Sequence, residues 1–265
     1  MKQPGWIFSG FAVVIGGLAG CAPKSPAVNP PVKPQISQKI PSGESQQTNT
    51  TDVTLKTSDG WSIVGKMYLP KGDSKGGVIL LHQRGGTGDD WKPLCASLQE
   101  AGYAALAIDQ RGAGKSTTGP GTVGTEAPWK TSGDIAAAVK SMKSYGNITL
   151  HSFYSITLVG ASYGANNALI YAAAHPEQIN SVVLLSPGEN YHGLEALPAA
   201  QKYAGTLLIM NDHGDTVAGD GPSKINTSAT QSKHKFIEYE GDGHGTELLR
   251  SQSIIDILDF LKSSM

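Results

Sequence analysis

Ser155-Ile156-Thr157-Leu158-Val159-Gly160-Ala161-Ser162-Tyr163-Gly164 is the stretch on which the reading of this chain turns. Residues 155–159 alternate polar Ser and Thr with Ile, Leu and Val and are rich in β-branched side chains, as a strand requires. The segment from Ser162 to Ala174 has helical character and stops before Pro176. Between strand and helix there is room only for a very tight bend. Side chains two positions before and two after the central residue would collide in such a bend, and Gly160 and Gly164 stand at those two places. The bend lifts the Ser162 hydroxyl above the end of the strand. The helix start beneath it favours developing negative charge. A serine presented in this way is a candidate nucleophile.

Reading outward, the same alternation recurs. Asp52–Leu55 and Ser62–Leu69 alternate like half-buried strands around the turn Ser58-Asp59-Gly60. Gly77–His82 is continuously apolar, as a central parallel strand is. A helix is expected from Asp90 to Ala101, closed by Gly102, then a strand from Tyr103 to Ile108. Ile135, Ala138, Val139 and Met142 mark one helix face. Further strands are expected at Asn180–Leu185, Thr206–Met210 and Phe236–Tyr239, and Ile254, Ile255, Leu258 and Leu261 mark a closing amphipathic helix. This pattern predicts an α/β fold with a mostly parallel central sheet of about eight strands and helices on both faces. No internal repeat is visible.

The elbow, the loop Asp109-Gln110-Arg111-Gly112-Ala113-Gly114-Lys115-Ser116 and the stretch His175-Pro176-Glu177 together resemble the α/β-hydrolase superfamily, over nearly all of residues 52–265. The resemblance implies the α/β-hydrolase fold and a serine assisted by a histidine base and an orienting acid. It places the base on the loop after the last strand, here Gly241-Asp242-Gly243-His244-Gly245, so the base is His244. It places the acid after the preceding strand, often before x-Val. Asp215-Thr216-Val217 matches that ending, although Asn211 stands where Gly is usual. Asp215 is therefore the first candidate, Asp212 the second and Glu189 the third. The chain order Ser162, Asp215, His244 is that of the family.

The oxyanion hole implied by the resemblance consists of the backbone N–H groups of Tyr163 and Gln83, with Gln83 standing where many relatives have Gly. Its side chain is expected either to narrow the pocket or to add a donor. Arg84 is a candidate for binding a substrate carboxylate or else a solvated loop cation, and Trp129 lines the pocket or simply packs. The segment between Leu185 and Thr206 is short, so no large lid domain is expected, and Gly119–Trp129 is the alternative rim. The expected reaction is cleavage of carboxylic esters of small or medium substrates through an acyl-enzyme on Ser162. Thioesters, amides and peptides remain open, as does a non-catalytic envelope protein that binds a ligand on this fold.

The N-terminus reads as an export signal over residues 1–20, with Lys2 before the mostly apolar run Trp6–Leu18. Its end, Leu18-Ala19-Gly20-Cys21, resembles the bacterial lipobox. That resemblance implies cleavage before Cys21 and lipidation of its thiol, hence membrane attachment in a bacterial cell envelope. Ala22 resembles the residue found in lipoproteins bound for the outer membrane of Gram-negative cells. Residues 21–50 carry six prolines among polar residues and are expected to form a disordered linker. The folded domain is expected over 51–265.

Other classes are disfavoured. A net charge of −1 offers no electrostatic case for nucleic acid. Gly112-Ala113-Gly114-Lys115-Ser116 fails as a phosphate loop because Asp109 stands where the first Gly is needed. No metal-ligand motif is present, and no cofactor is expected. Two cysteines cannot make a disulfide framework, and Cys95 is read as a small buried apolar residue. His82, His151, His175, His192, His213 and His234 are read as structural or surface residues, with His82 and His213 near the site. A monomer is expected, with oligomeric state left open.

Overall fold

The structure is a computed structural model that describes residues 49–121, 131–149 and 155–265. The signal segment, Cys21, nearly all of the linker and Trp129 lie outside the described residues.

The strands are β1 (Thr50–Lys56), β2 (Ser62–Tyr68), β3 (Gly77–Leu81), β4 (Ala104–Ile108), β5 (Ile156–Ala161), β6 (Ser181–Leu185), β7 (Asn190–Tyr191), β8 (Leu194–Glu195), β9 (Thr206–Asp212) and β10 (Lys233–Tyr239). Eight of them form one sheet in the order β1-β2-β4-β3-β5-β6-β9-β10. The pairs β1–β2 and β2–β4 are antiparallel. All pairs from β4 through β10 are parallel. Parallel strands are covered on both faces, which is why β3, β4, β5 and β6 are buried along their whole length. On the antiparallel margin β1 alternates between exposed and partly buried positions.

The helices are α1 (Lys92–Ala101), α2 (Ser132–Thr149), α3 (Tyr163–Ala174), α4 (Ala196–Lys202), α5 (Gly221–Ser228) and α6 (Ser251–Ser264). The two faces of β3 show how they divide. Ile79 and Leu81 enter a core completed by Met142 of α2, Leu169 of α3, Ala200 of α4 and Ile225 of α5. Val78 and Leu80 enter a second core with Leu94 and Leu98 of α1 and Ile257 and Leu261 of α6. Each fully buried aliphatic side chain of this kind stabilises the fold by about 1.5–3 kcal/mol relative to exposure. α1 ends where expected, on Gly102 with φ 91°.

The eight expected sheet strands are all present. The sequence reading did not anticipate the small hairpin β7–β8 or the short helices α4 and α5. The hairpin and α4 occupy residues 186–205 between β6 and β9, so no large lid is inserted there.

Candidate active site

The elbow holds Ser162 at φ 51° and ψ −117°, a conformation that L-residues rarely adopt. The packing requires it. A Cβ on Gly160 would lie 2.2 Å from the Gly164 carbonyl oxygen, and a Cβ on Gly164 would lie 2.2 Å from that of Leu81. Helix α3 thus presses directly against β3 and β5. Ser162 is anchored by its own N–H, which donates to Leu185 O at 2.8 Å.

Ser162, His244 and Asp215 come together from three separate loops. The Ser162 hydroxyl donates to His244 Nε2 at 2.7 Å. His244 Nδ1 lies 2.9 and 3.0 Å from the two Asp215 carboxylate oxygens. A carboxylate only accepts, so Nδ1 carries the proton and Nε2 is left to accept from the serine. The Asp215 side chain is 1% exposed and the His244 side chain 19%. Asp215 Oδ1 also accepts the N–H groups of Val217 and Ala218, each at 3.0 Å, which fixes the carboxylate.

The two alternative acids lie elsewhere. Asp212 is fully buried, but its carboxylate receives the Gly243 N–H at 2.9 Å and the Arg250 guanidinium. It braces the loop before His244 and does not reach the imidazole. Glu189 pairs with Lys224 at 2.6 Å.

The loop carrying His244 is tied down at three further points. His244 N–H donates to Glu247 Oε2, Gly245 N–H to Ser186 Oγ, and Thr246 N–H to Gln83 Oε1 at 2.7 Å. Thr246 Oγ1 also donates to Gln83 Oε1. The Gln83 side-chain oxygen is therefore committed to the histidine loop, which it joins to the loop after β3.

The backbone N–H groups of Gln83 and Tyr163 donate to no protein atom among the described residues. Tyr163 is the first residue of α3, where an N–H has no partner within the helix. The His82–Gln83 peptide is oriented by a buried network. Gln110 Nε2 donates to His82 O at 2.8 Å, Gln110 N–H donates to His82 Nε2 at 2.9 Å, and His82 Nδ1 donates to Gln83 O at 2.7 Å. Burial lowers the His82 pKa, which keeps the ring neutral and leaves Nε2 able to accept.

Tyr191, which the sequence reading missed, also reaches the serine. Its ring stands edge-on to His244 at 6.2 Å between centroids, and its hydroxyl donates to Ser186 O at 3.2 Å and contacts Ser162. Burial pushes its pKa up to about 12. The next residue, His192, was read as structural or surface. It is exposed, and it stands in the wall of a cleft of about 620 Å³, together with Arg84, Gln110 and Tyr163. Arg84 is exposed, and its guanidinium donates to His192 Nε2 at 3.1 Å. The two-residue strands around His192-Gly193 carry no periodic signal in the sequence. Among the described residues, no group of three or more His, Cys, Asp or Glu side chains is placed to hold a metal ion.

Residues 77–239 match a family model described as the alpha/beta hydrolase fold. Two proteins show similarity in sequence. One is the candidate protein-lysine deacylase ABHD14B of Rattus norvegicus, 27% identical over 70% of this chain and 82% of that protein. The other is an epoxide hydrolase of Caballeronia sordidicola, 29% identical over 41% of this chain but only 30% of that protein's length. In three dimensions, the esterase Pf2001 of Pyrococcus furiosus superposes with a TM-score of 0.68 at 20% identity, covering 82% of this chain and 93% of that one.

Proposed function

The chain belongs to the alpha/beta hydrolase fold family, and from that premise we propose that it is a serine hydrolase that cleaves carboxylic esters through an acyl-enzyme on Ser162. The observation that carries the proposal is the unbroken hydrogen-bond series Asp215–His244–Ser162, which ends beside two backbone N–H groups with no protein acceptor.

The steps follow from the geometry. His244 Nε2 takes the Ser162 proton as the oxygen attacks the substrate carbonyl carbon. The carbonyl π pair moves onto oxygen, and the oxyanion is received by the Gln83 and Tyr163 N–H groups. A single donor of this kind is worth about 2.7–4 kcal/mol in the barrier. The intermediate collapses, His244 protonates the departing alkoxide, and the acyl group remains on Ser162. Water then attacks with His244 as base, and the acid leaves. Asp215 holds the imidazole tautomer and stabilises the imidazolium throughout. The short segment over the site suits small or medium esters.

A fluorophosphonate probe tests the nucleophile. Wild type is labelled and Ser162→Ala is not; equal labelling of both, or none of wild type, would defeat the proposal. A panel of a p-nitrophenyl ester, a thioester, an Nε-acyl-lysine amide and an epoxide then reads the bond that is cleaved. The last two are included because of the names of the two similar proteins.

We further propose that Cys21 carries lipid and holds the domain, through the proline-rich linker, at a bacterial envelope membrane, the outer one in a Gram-negative cell. The Leu18-Ala19-Gly20-Cys21 sequence supports this, since more than one acyl chain is needed for firm attachment. Cys21→Ser moves the protein from the membrane to the soluble fraction; unchanged partitioning would end the anchor reading.

A further inference from the structure

The cleft beside the nucleophile has an unbalanced charge. Its walls contain two arginines, and among the described residues that line it there is no Asp or Glu. The two arginines are in opposite situations. Arg111 is buried between two carboxylates, Asp59 and Asp134, each 2.7 Å from its guanidinium, and Trp61 lies under it at 5.4 Å. It is a structural strut. Among the described residues Arg84 has no carboxylate partner. Among the described residues its hydrogen-bond partner is His192 Nε2, and because a guanidinium only donates, that nitrogen accepts. Most of the guanidinium's N–H groups thus remain available beside the cleft.

The Arg84–His192 contact joins residues 108 positions apart and depends on a built arm. His192 and Gly193, at φ 53° and 91°, form the two-residue turn of the β7–β8 hairpin. Positive φ at both central positions is what a type I′ turn requires. The Asn190 side chain accepts the Gly193 N–H at 2.7 Å. From α3, Asn166 Nδ2 donates to Gly188 O and Leu194 O, both at 2.8 Å, and its Oδ1 accepts the Gly188 N–H. The helix that begins at the nucleophile therefore clamps the hairpin, and the hairpin holds His192 against Arg84. A rotamer-rich arginine is thereby oriented before any ligand arrives, which reduces the ordering cost of binding.

We propose that Arg84, held by His192, is the recognition site for a carboxylate on the substrate, so that the preferred esters carry a free acid group remote from the scissile carbonyl. The planar guanidinium fork matches a carboxylate in two parallel hydrogen bonds, which a neutral group of the same size does not offer. This specificity rests on the serine hydrolase reading and adds the substrate class to it.

The test compares kcat/KM for two matched pairs. p-Nitrophenyl hemiglutarate against p-nitrophenyl valerate places the charge on the acyl side. 4-Acetoxybenzoate against its methyl ester places it on the alcohol side. In wild type at low salt the charged member is preferred in at least one pair, and the preference shrinks as NaCl is raised towards 0.5 M. Arg84→Gln reduces the charged-to-neutral ratio on the order of ten- to a hundredfold, the loss of one charge-assisted pair. Arg84→Lys, which keeps the charge without the fork, falls between. A ratio near one in both pairs, or a ratio that Arg84→Gln leaves unchanged, overturns the proposal while Ser162-dependent hydrolysis of the neutral esters stands. If no ester is hydrolysed at all, both readings fall.

Discussion

Strain at Ser162 has a consequence for stability that is independent of any substrate. A non-glycine residue held in a sparsely populated backbone region costs about 1–3 kcal/mol, and Ser162 sits at φ 51° and ψ −117°. Ser162→Ala and Ser162→Gly both lack the hydroxyl and its bond to His244, so comparing them cancels that term. Removing the Cβ loses roughly 0.8 kcal/mol of buried methyl and about 0.5–1 kcal/mol through the freedom of the unfolded chain. Release of about 2 kcal/mol of strain slightly outweighs these losses. Ser162→Gly is therefore expected to be as stable as Ser162→Ala, or more stable by about 0.5 kcal/mol. Ala165, fully buried in α3, supplies the control. There the same Ala-to-Gly change relieves nothing and costs about 2 kcal/mol, a drop in Tm of about 4–8 °C in a domain of this size. Urea unfolding of the three variants measures both steps. If the Ala-to-Gly step costs as much at 162 as at 165, the elbow is not strained and the account of how it lifts the hydroxyl is wrong.

Three further outcomes follow from the site. Asp215→Asn is expected to lower kcat by about 10⁴-fold with little change in folding, whereas Asp212→Asn, which weakens the Arg250 and Gly243 contacts, chiefly lowers stability by about 1–3 kcal/mol; steady-state kinetics and urea unfolding on both variants would show the reverse pattern if Asp212 were the acid. Gln83→Ala keeps the oxyanion N–H but strands the Thr246 N–H, so stability falls by about 1–3 kcal/mol and kcat drops, while Gln83→Glu, which retains an acceptor, recovers most of both; kinetics and thermal melting read the difference. His82 is neutral and buried with its pKa lowered, so below the ordinary histidine range the unfolded chain binds a proton that the folded chain refuses. Stability is then lost as pH falls from 7 towards 5, and His82→Asn flattens that slope in pH-dependent unfolding; an unchanged slope removes His82 as its source.

Much of the fold was legible because its signals are local. The continuous apolar runs of β3, β4, β5 and β6 announce strands buried on both faces. Gly160 and Gly164 announce the close approach at the elbow whatever surrounds it. The weaker elements escaped for the opposite reason. β7 and β8 have two residues each, too short for any periodicity, and α4 and α5 have seven and eight. Tyr191 and His192 ride on that hairpin, so the sequence offered no reason to place them beside Ser162.

By itself, the sequence determined the alternation of strand and helix and the bend that presents Ser162, because each is written in near neighbours, while the order of serine, acid and histidine came from the resemblance to the α/β-hydrolase superfamily. Only the tertiary structure shows that Asp215, and not Asp212, meets the His244 imidazole. The two lie three residues apart, Asp212 at the end of β9 and Asp215 on the loop after it, and the difference depends on where Gly243 and Arg250 direct Asp212 from more than thirty positions away. It also decided that Gln83 turns to Thr246 and that Arg84 meets His192. Hydrogen bonds between distant segments depend on how the sheet brings their loops together, and no local pattern encodes that.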